Sequence, residues 1–257
     1  MFERTSTQRE DYVAIEAPLE IRLKGSHGQK AVQFGILMRS PGNDIELIYG
    51  LLFNEGIISD TDQIEKIHLV DRNVVEVFLI DVIEINQIIQ KRISLIGSSC
   101  GFCGKESLEA LDLTSNKLSW FNRNQITSGV LSSLPGKLRL AQKSFDQSGS
   151  IHAAAVFSYD GKLMNIQEDI GRHNALDKLI GHELVKGREE GVIVLSGRNS
   201  FEMTQKVAMA GYPIIASIGA PSSMAIELAE NEGITLVGFL REQSFNIYSC
   251  PDRIVFD

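Results

Sequence analysis

Val192-Ile193-Val194-Leu195, Ile214-Ile215-Ala216-Ser217 and Thr235-Leu236-Val237-Gly238-Phe239-Leu240 are short apolar runs, separated by helix-like stretches at Phe201 to Ala210 and Ser222 to Glu230. Runs this short and this uniformly apolar predict central strands covered on both faces. Their alternation with helices predicts a layered α/β sheet. Immediately upstream, Ala153 to Phe157 and Leu163 to Gln167 flank Tyr159-Asp160-Gly161-Lys162, a hairpin signal, and Asn174 to Val185 reads as a further helix. The earlier part of the chain has a different texture. Ile15, Leu19, Ile21 and Leu23, then Val32, Phe34, Ile36 and Met38, alternate with polar or small residues as in half-buried strands, with a turn at Gly25 to Gly28. Ser40-Pro41-Gly42-Asn43-Asp44 ends in a helix cap, and Ile45, Leu47, Ile48, Leu51 and Leu52 form the apolar stripe of a helix that Gly56 stops. Two more strands are expected around Asp71-Arg72-Asn73, and Leu134, Leu138, Ala141 and Phe145 suggest one amphipathic helix. The resulting expectation is a mixed α+β part over residues 1–125 and an α/β domain over residues 126–257.

With 257 residues, the chain is long enough for a substantial core. Its 43% hydrophobic and 23% charged residues are those of an ordinary soluble protein. A formal net charge of -8 argues against broad nucleic-acid binding. The polar N-terminus, with Glu3 and Asp11, lacks the profile of a secretory signal, and no apolar run approaches the ~20 residues of a membrane span. A cytoplasmic location is therefore expected. In that reducing setting the Cys100-Gly101-Phe102-Cys103 pair is more plausibly redox-active, sulfur-carrying or metal-binding than part of a disulfide framework. Adjacent Gly97, Gly101 and Gly104 favour an accessible loop, and Lys105 with the helix-like segment beyond favours the thiolate.

Zinc needs four ligands, and apart from this pair only a remote Cys250 and five unpaired histidines are available, so no metal is expected. His152 invites comparison with the zinc deaminases, in which a glutamate follows the histidine by two residues as general acid/base. Ala154 occupies that position here, and the cysteine pair precedes the histidine instead of following it. Both departures argue against deamination.

The polar residues collect where apolar runs end. Glu168-Asp169-Ile170-Gly171-Arg172-His173-Asn174 leaves a strand and enters a helix, so Arg172 and the first helical N–H groups suit an anion, and Glu168 or Asp169 suits the donors of a base (N–H) or ribose (O–H). Arg198 in Ser196-Gly197-Arg198 offers a phosphate fork, and Ser222 opens a helix after Gly219-Ala220-Pro221. Arg241 follows the last run, between Phe239 and Phe245, either of which suits stacking on a planar base. Each stretch alone also suits a cap, a turn or a local ion pair. Together they point to one concave site for a phosphorylated planar ligand.

These residues also carry a resemblance. Ser40-Pro41-Gly42-Asn43-Asp44, Gly50-Leu51-Leu52-Phe53-Asn54-Glu55-Gly56-Ile57-Ile58, Cys100-Gly101-Phe102-Cys103-Gly104, Ile151-His152-Ala153-Ala154, Glu168 through Lys178, Ser196-Gly197-Arg198, Ala220-Pro221-Ser222-Ser223 and Gly238-Phe239-Leu240-Arg241 stand in the order found in the formate dehydrogenase accessory sulfurtransferases (FdhD). The chain resembles that family from about residue 13 to its end, departing at Gly149-Ser150-Ile151, where the family is richer in glycine. The resemblance implies a cytidine-deaminase-like α/β fold, a homodimer, and a sulfur carrier. That carrier would take persulfide sulfur from a cysteine desulfurase and pass it to the Mo-bis(molybdopterin guanine dinucleotide) cofactor of formate dehydrogenase. It also implies that Cys100 and Cys103 handle sulfur, with Cys100 the persulfide carrier. Phe239, Leu240, Arg241, Glu242, Gln243 and Ser244 would contact the guanine dinucleotide, joined by Arg172, His173, Arg198 and Ser222 at the other strand ends. The rival reading is a scaffold or chaperone that holds the cofactor without transferring sulfur.

Overall fold

The structure, a computed structural model, describes residues 6–25, 30–80 and 125–257. Four strands, β1 (Ala17–Gly25), β2 (Val32–Arg39), β3 (Ile64–Asp71) and β4 (Val74–Leu79), form a sheet in the order β2-β1-β4-β3. Period-two alternation turns Leu19, Ile21 and Leu23 of β1 and Val75, Val77 and Leu79 of β4 to one buried face. Helix α1 (Asp44–Asn54) covers that face with Leu47, Ile48 and Leu52. Ile45, expected in the same stripe, is exposed. The expected hairpin joins β3 to β4, and Gly56, at φ 68°, lies just beyond the end of α1. Asn43 occupies the N-cap position of α1 but makes no capping bond; its side-chain amide instead donates to Gln167 Oε1 in the second sheet.

That second sheet contains β6 (His152–Phe157), β7 (Leu163–Asp169), β8 (Val192–Leu195), β9 (Ile214–Ser217), β10 (Thr235–Gly238) and β11 (Asn246–Ser249), in the order β11-β10-β9-β8-β6-β7. A short parallel pair, β5 (Ile126–Thr127) and β12 (Ile254–Val255), ties the two ends of this half together. Helices α2 (Ser128–Ala141), α3 (Lys143–Ser148), α4 (Arg172–Lys186), α5 (Phe201–Met209) and α6 (Ser223–Glu232) complete the chain. Every residue of β8, β9 and β10 is buried. Ala154, Val156, Ile193, Leu195 and Ile215 pack with α4, α5 and α6 on one face. Ala153, Ala155, Phe157, Val192, Val194 and Ile214 pack with Leu131, Leu134 and Leu138 of α2 on the other. The half is thus a sheet between two helical layers, which is why its strands are apolar throughout.

The amphipathic helix expected through Phe145 is two helices, broken at Gln142. The carboxylate of Glu168 on β7 accepts from the backbone N–H groups of Ser144 (3.0 Å) and Phe145 (3.2 Å), capping a new helix where the old one would have continued. The two sheets meet where α1 crosses α4. A side chain at Gly50 would stand 1.9 Å from the Asp177 carbonyl oxygen, and one at Gly181 would stand 1.8 Å from that of Glu46, so only glycine permits this approach. Around the crossing, buried Asp169 accepts from Ser40 N (3.0 Å), Gly171 N (2.9 Å), Asn174 Nδ2 (3.0 Å) and Lys178 Nζ (2.7 Å). Lys178 also donates to Ser40 O, and Asn174 to Met38 O, so the first sheet fixes the chain immediately before α4.

Candidate functional site at one edge of the central sheet

Strands β8, β9 and β10 are parallel, β6 is antiparallel to β8, and β7 is antiparallel to β6. The C-terminal ends of β7, β8, β9 and β10 and the N-terminal end of β6 therefore lie along one edge. Beyond the strands the backbone stays connected. Ser196 N donates to Ala153 O (2.9 Å), Gly219 N to Gly197 O (3.0 Å) and Phe239 N to Gly219 O (3.1 Å). Ser196 returns the contact through its hydroxyl, which accepts from Ala153 N at 2.8 Å. Gly219 is required here, since a Cβ would lie 2.8 Å from the Arg198 backbone.

A cavity of about 430 Å³ opens at this edge. His152, Ser196, Leu240 and Arg241 line it from the sheet, and Arg139, Gln142 and Phe145 line it from α2 and α3. The Arg139 guanidinium lies over the Phe145 ring, 4.6 Å from its centroid, and is held there by an ion pair with Asp146. Arg241 donates to the backbone oxygens of Ile218 (2.6 Å) and Leu240 (2.8 Å), and its N–H closes a turn onto Ser244 O. A volume of this size lies in the range of small-molecule sites.

Beside the cavity the starts of α4 and α5 meet. Arg172 Nε, His173 Nε2, Asn199 Nδ2 and Ser200 Oγ are buried without a hydrogen-bond partner. His173 Nε2 lies 3.3 Å from Glu202 Oε2, close but without hydrogen-bond alignment. Burial, helped by the charges of Arg172 and Lys206, pushes His173 down to about 4, and burial pushes Glu202 up to about 7 against the pull of Lys206. His152 is lowered by burial and then by Arg172, with Asp169 opposing. A Cβ at Gly197 would lie 3.3 Å from His152 Nδ1 and 3.8 Å from Arg172 Cδ, so the helix-start cluster and the cavity adjoin. Neutral imidazoles, one guanidinium and unpaired donors at two helix N-termini form an environment suited to an anion.

The residues expected from sequence are distributed over this edge unequally. Arg172 and His173 stand in the helix-start cluster, and Leu240 and Arg241 in the cavity. Arg198 is exposed, and the Ser222 hydroxyl accepts from Ala225 N as the N-cap of α6. Phe239 is 44% exposed, with a left-handed backbone at φ 51° that turns the chain out of β10. Leu240 is wholly buried, so it is a wall of the cavity and part of the core. Glu242 and Gln243 line a separate groove against Ser132, Ser133 and Gly136 of α2, and Ser244 lies beyond it. Cys100 and Cys103 lie outside the described residues. Arg139, Gln142 and Phe145 were not expected in the site. Their only signal in the sequence was Phe145 at the end of an apolar helical stripe, because what brings them in is the break at Gln142. Among the described residues no three His, Cys, Asp or Glu side chains gather as metal ligands, and no helix is long and apolar enough to cross a membrane. Cys250, the one described cysteine, is partly buried, and burial raises its thiol.

Residues 14–255 match the model of the FdhD/NarQ family. The sulfur carrier protein FdhD of Sulfolobus acidocaldarius is 42% identical over 95% of this chain and 92% of its own length. That of Streptomyces avermitilis is 42% identical over 96% and 90%. A crystal structure of a formate dehydrogenase accessory protein from Desulfotalea psychrophila superposes with a TM-score of 0.72 at 26% identity, covering 95% of this chain and 91% of that one. The chain belongs to the FdhD/NarQ family.

Proposed function

We propose that this protein carries persulfide sulfur from a cysteine desulfurase to the Mo-bis(molybdopterin guanine dinucleotide) cofactor before the cofactor enters the formate dehydrogenase catalytic subunit. The observation that carries the reading is the sheet edge itself. A cavity with a stacked guanidinium and ring wall adjoins unpaired buried donors at two helix starts, and these complement the planar and anionic parts of a guanine dinucleotide. Each orphaned donor costs about 1–3 kcal/mol when left unpaired, a cost that a ligand offsets if the cluster opens to let it accept from them. The reading extends to a homodimer acting in the cytoplasm, and to cytidine-deaminase-like layering of the second half, with which a sheet between two helical layers is compatible.

In the sulfur step, the Cys100 thiolate attacks the outer sulfur of the donor's persulfide. The donor's S–S bond breaks, the donor cysteine leaves as thiolate, and Cys100 becomes a persulfide. Attack of Cys103 on the inner sulfur of Cys100 then releases the outer sulfur, with its bonding electron pair, to the molybdenum of the bound substrate. The resulting Cys100–Cys103 disulfide needs a cellular thiol reductant to restore the pair. Cys250 is unsuited to this role, because burial disfavours its thiolate. Mass spectrometry after incubation with desulfurase and cysteine is expected to show a sulfur adduct that the double variant Cys100→Ser, Cys103→Ser lacks. An adduct that survives in the double variant overturns the sulfur step. Arg241→Ala is expected to weaken GDP binding in calorimetry, and full affinity in that variant removes the cavity from the reading.

A further inference from the structure

Gln142 stands at the junction of α2 and α3, is 5% exposed, and lines the 430 Å³ cavity. Its side chain makes no hydrogen bond among the described residues. Neither of its polar atoms is among the sealed, unpartnered atoms of the helix-start cluster, and the residue lines the cavity. A carboxamide has two donors and an acceptor with two lone pairs, and buried groups of this kind are nearly always paired. Here the break between two helices brings Gln142 to the cavity wall. Next to it the Arg139 guanidinium lies over the Phe145 ring, paired with Asp146, and both residues line the cavity as one wall.

From this juxtaposition we infer that Gln142 reads the hydrogen-bonding edge of a nucleobase whose face lies on the Arg139–Phe145 wall. The inference rests on the proposed function for the presence of a nucleotide in this cavity, and adds the residue that sets base specificity. Amide side chains pair with base edges in two-bond fashion, because adjacent C=O and NH₂ groups match an adjacent donor and acceptor on the base. The guanine edge offers O6 beside N1–H, so the amide donates to O6 and accepts from N1–H. The wall alone would hold any planar base, since every base has a π-face. Gln142 therefore acts on discrimination more than on retention of the diphosphate, which the helix starts receive.

The test is calorimetric binding of GDP and ADP to the full chain, with thermal melting as the folding control. Gln142→Leu keeps the volume but removes all polar groups, and GDP affinity is expected to fall about tenfold or more, because the base edge is then left unpaired in a buried site. Gln142→Glu keeps only acceptors, which match the N1–H and N2–H₂ donors of guanine, so the ratio of GDP to ADP affinity is expected to rise. Wild-type GDP affinity in the leucine variant, together with an unchanged GDP to ADP ratio in the glutamate variant, overturns the inference. That result, alongside weakened binding in Arg241→Ala, would leave the proposed function standing. No GDP binding by the unaltered protein would instead remove the proposed function itself.

Discussion

Two buried polar regions flank the start of α4, and they treat their hydrogen-bonding groups in opposite ways. At the junction of the sheets, Asp169 accepts from two backbone amides, from Asn174 and from Lys178, and Lys178 in turn donates to Ser40 O. At the sheet edge, Arg172, His173, Asn199 and Ser200 each leave a buried polar atom unpaired. Polar side chains that complete one another hold a fold, whereas polar side chains that converge without partners wait for something from outside. Arg172 and Asn174 are two residues apart, so the rigid junction is what aims the unsaturated edge.

The largest expected effect breaks the junction. Lys178→Met leaves the Asp169 carboxylate buried without its ammonium partner, and loss of one member of such a pair costs about 3–5 kcal/mol. Urea denaturation is expected to show a loss of that size. A loss below 1 kcal/mol would show that Asp169 is satisfied by its three neutral donors, and that the contrast with the edge does not depend on charge.

How much of this was legible in the sequence follows from the range of the forces involved. The central strands were legible because a strand covered on both faces must be apolar at every position, and β8, β9 and β10 are. Arg172, His173 and Arg241 were legible because a parallel sheet puts its strand ends on one side, whatever the loops do. The break at Gln142 was not, because it depends on Glu168, 26 positions further along the chain, capping α3. Nor did any local pattern reveal that Asn43 would abandon its cap for Gln167. That Leu240 is core as well as cavity wall was not legible either, since its burial is set by where β10 stops. Cooperation between distant polar groups leaves no periodicity to read.

Ser222 sharpens the comparison from between the two regions, because its place on the edge suggests a ligand while its hydroxyl is already engaged by Ala225 N. An N-cap of this kind contributes about 1 kcal/mol. Ser222→Ala is expected to lose that much stability in denaturant melts and to keep GDP affinity within about twofold, a negligible difference on the affinity scale. A tenfold loss of affinity with unchanged stability would show that the Ser222 O–H donates to the ligand while its oxygen caps α6.

The smallest effect concerns the close pair His173 and Glu202, both about a quarter exposed and therefore partly screened by solvent. Their linkage to pH has opposite signs. His173 is lowered from 6.5 to about 4, chiefly by burial, so the folded state binds fewer protons than the unfolded chain and stability is lost as pH falls from 6.5 to 4. Glu202 is raised from 4.5 to about 7, again chiefly by burial, so the folded state binds more protons and stability is lost as pH rises from 4.5 to 7. The two slopes oppose each other between pH 4.5 and 6.5 and largely cancel in the intact protein. Glu202→Gln is expected to expose the histidine slope, with melting temperature rising with pH across that window, and His173→Gln the reverse. Slopes of the same sign in both variants would show that neither group is held in its neutral form, and that the helix-start cluster is a charged, self-satisfied network like the junction.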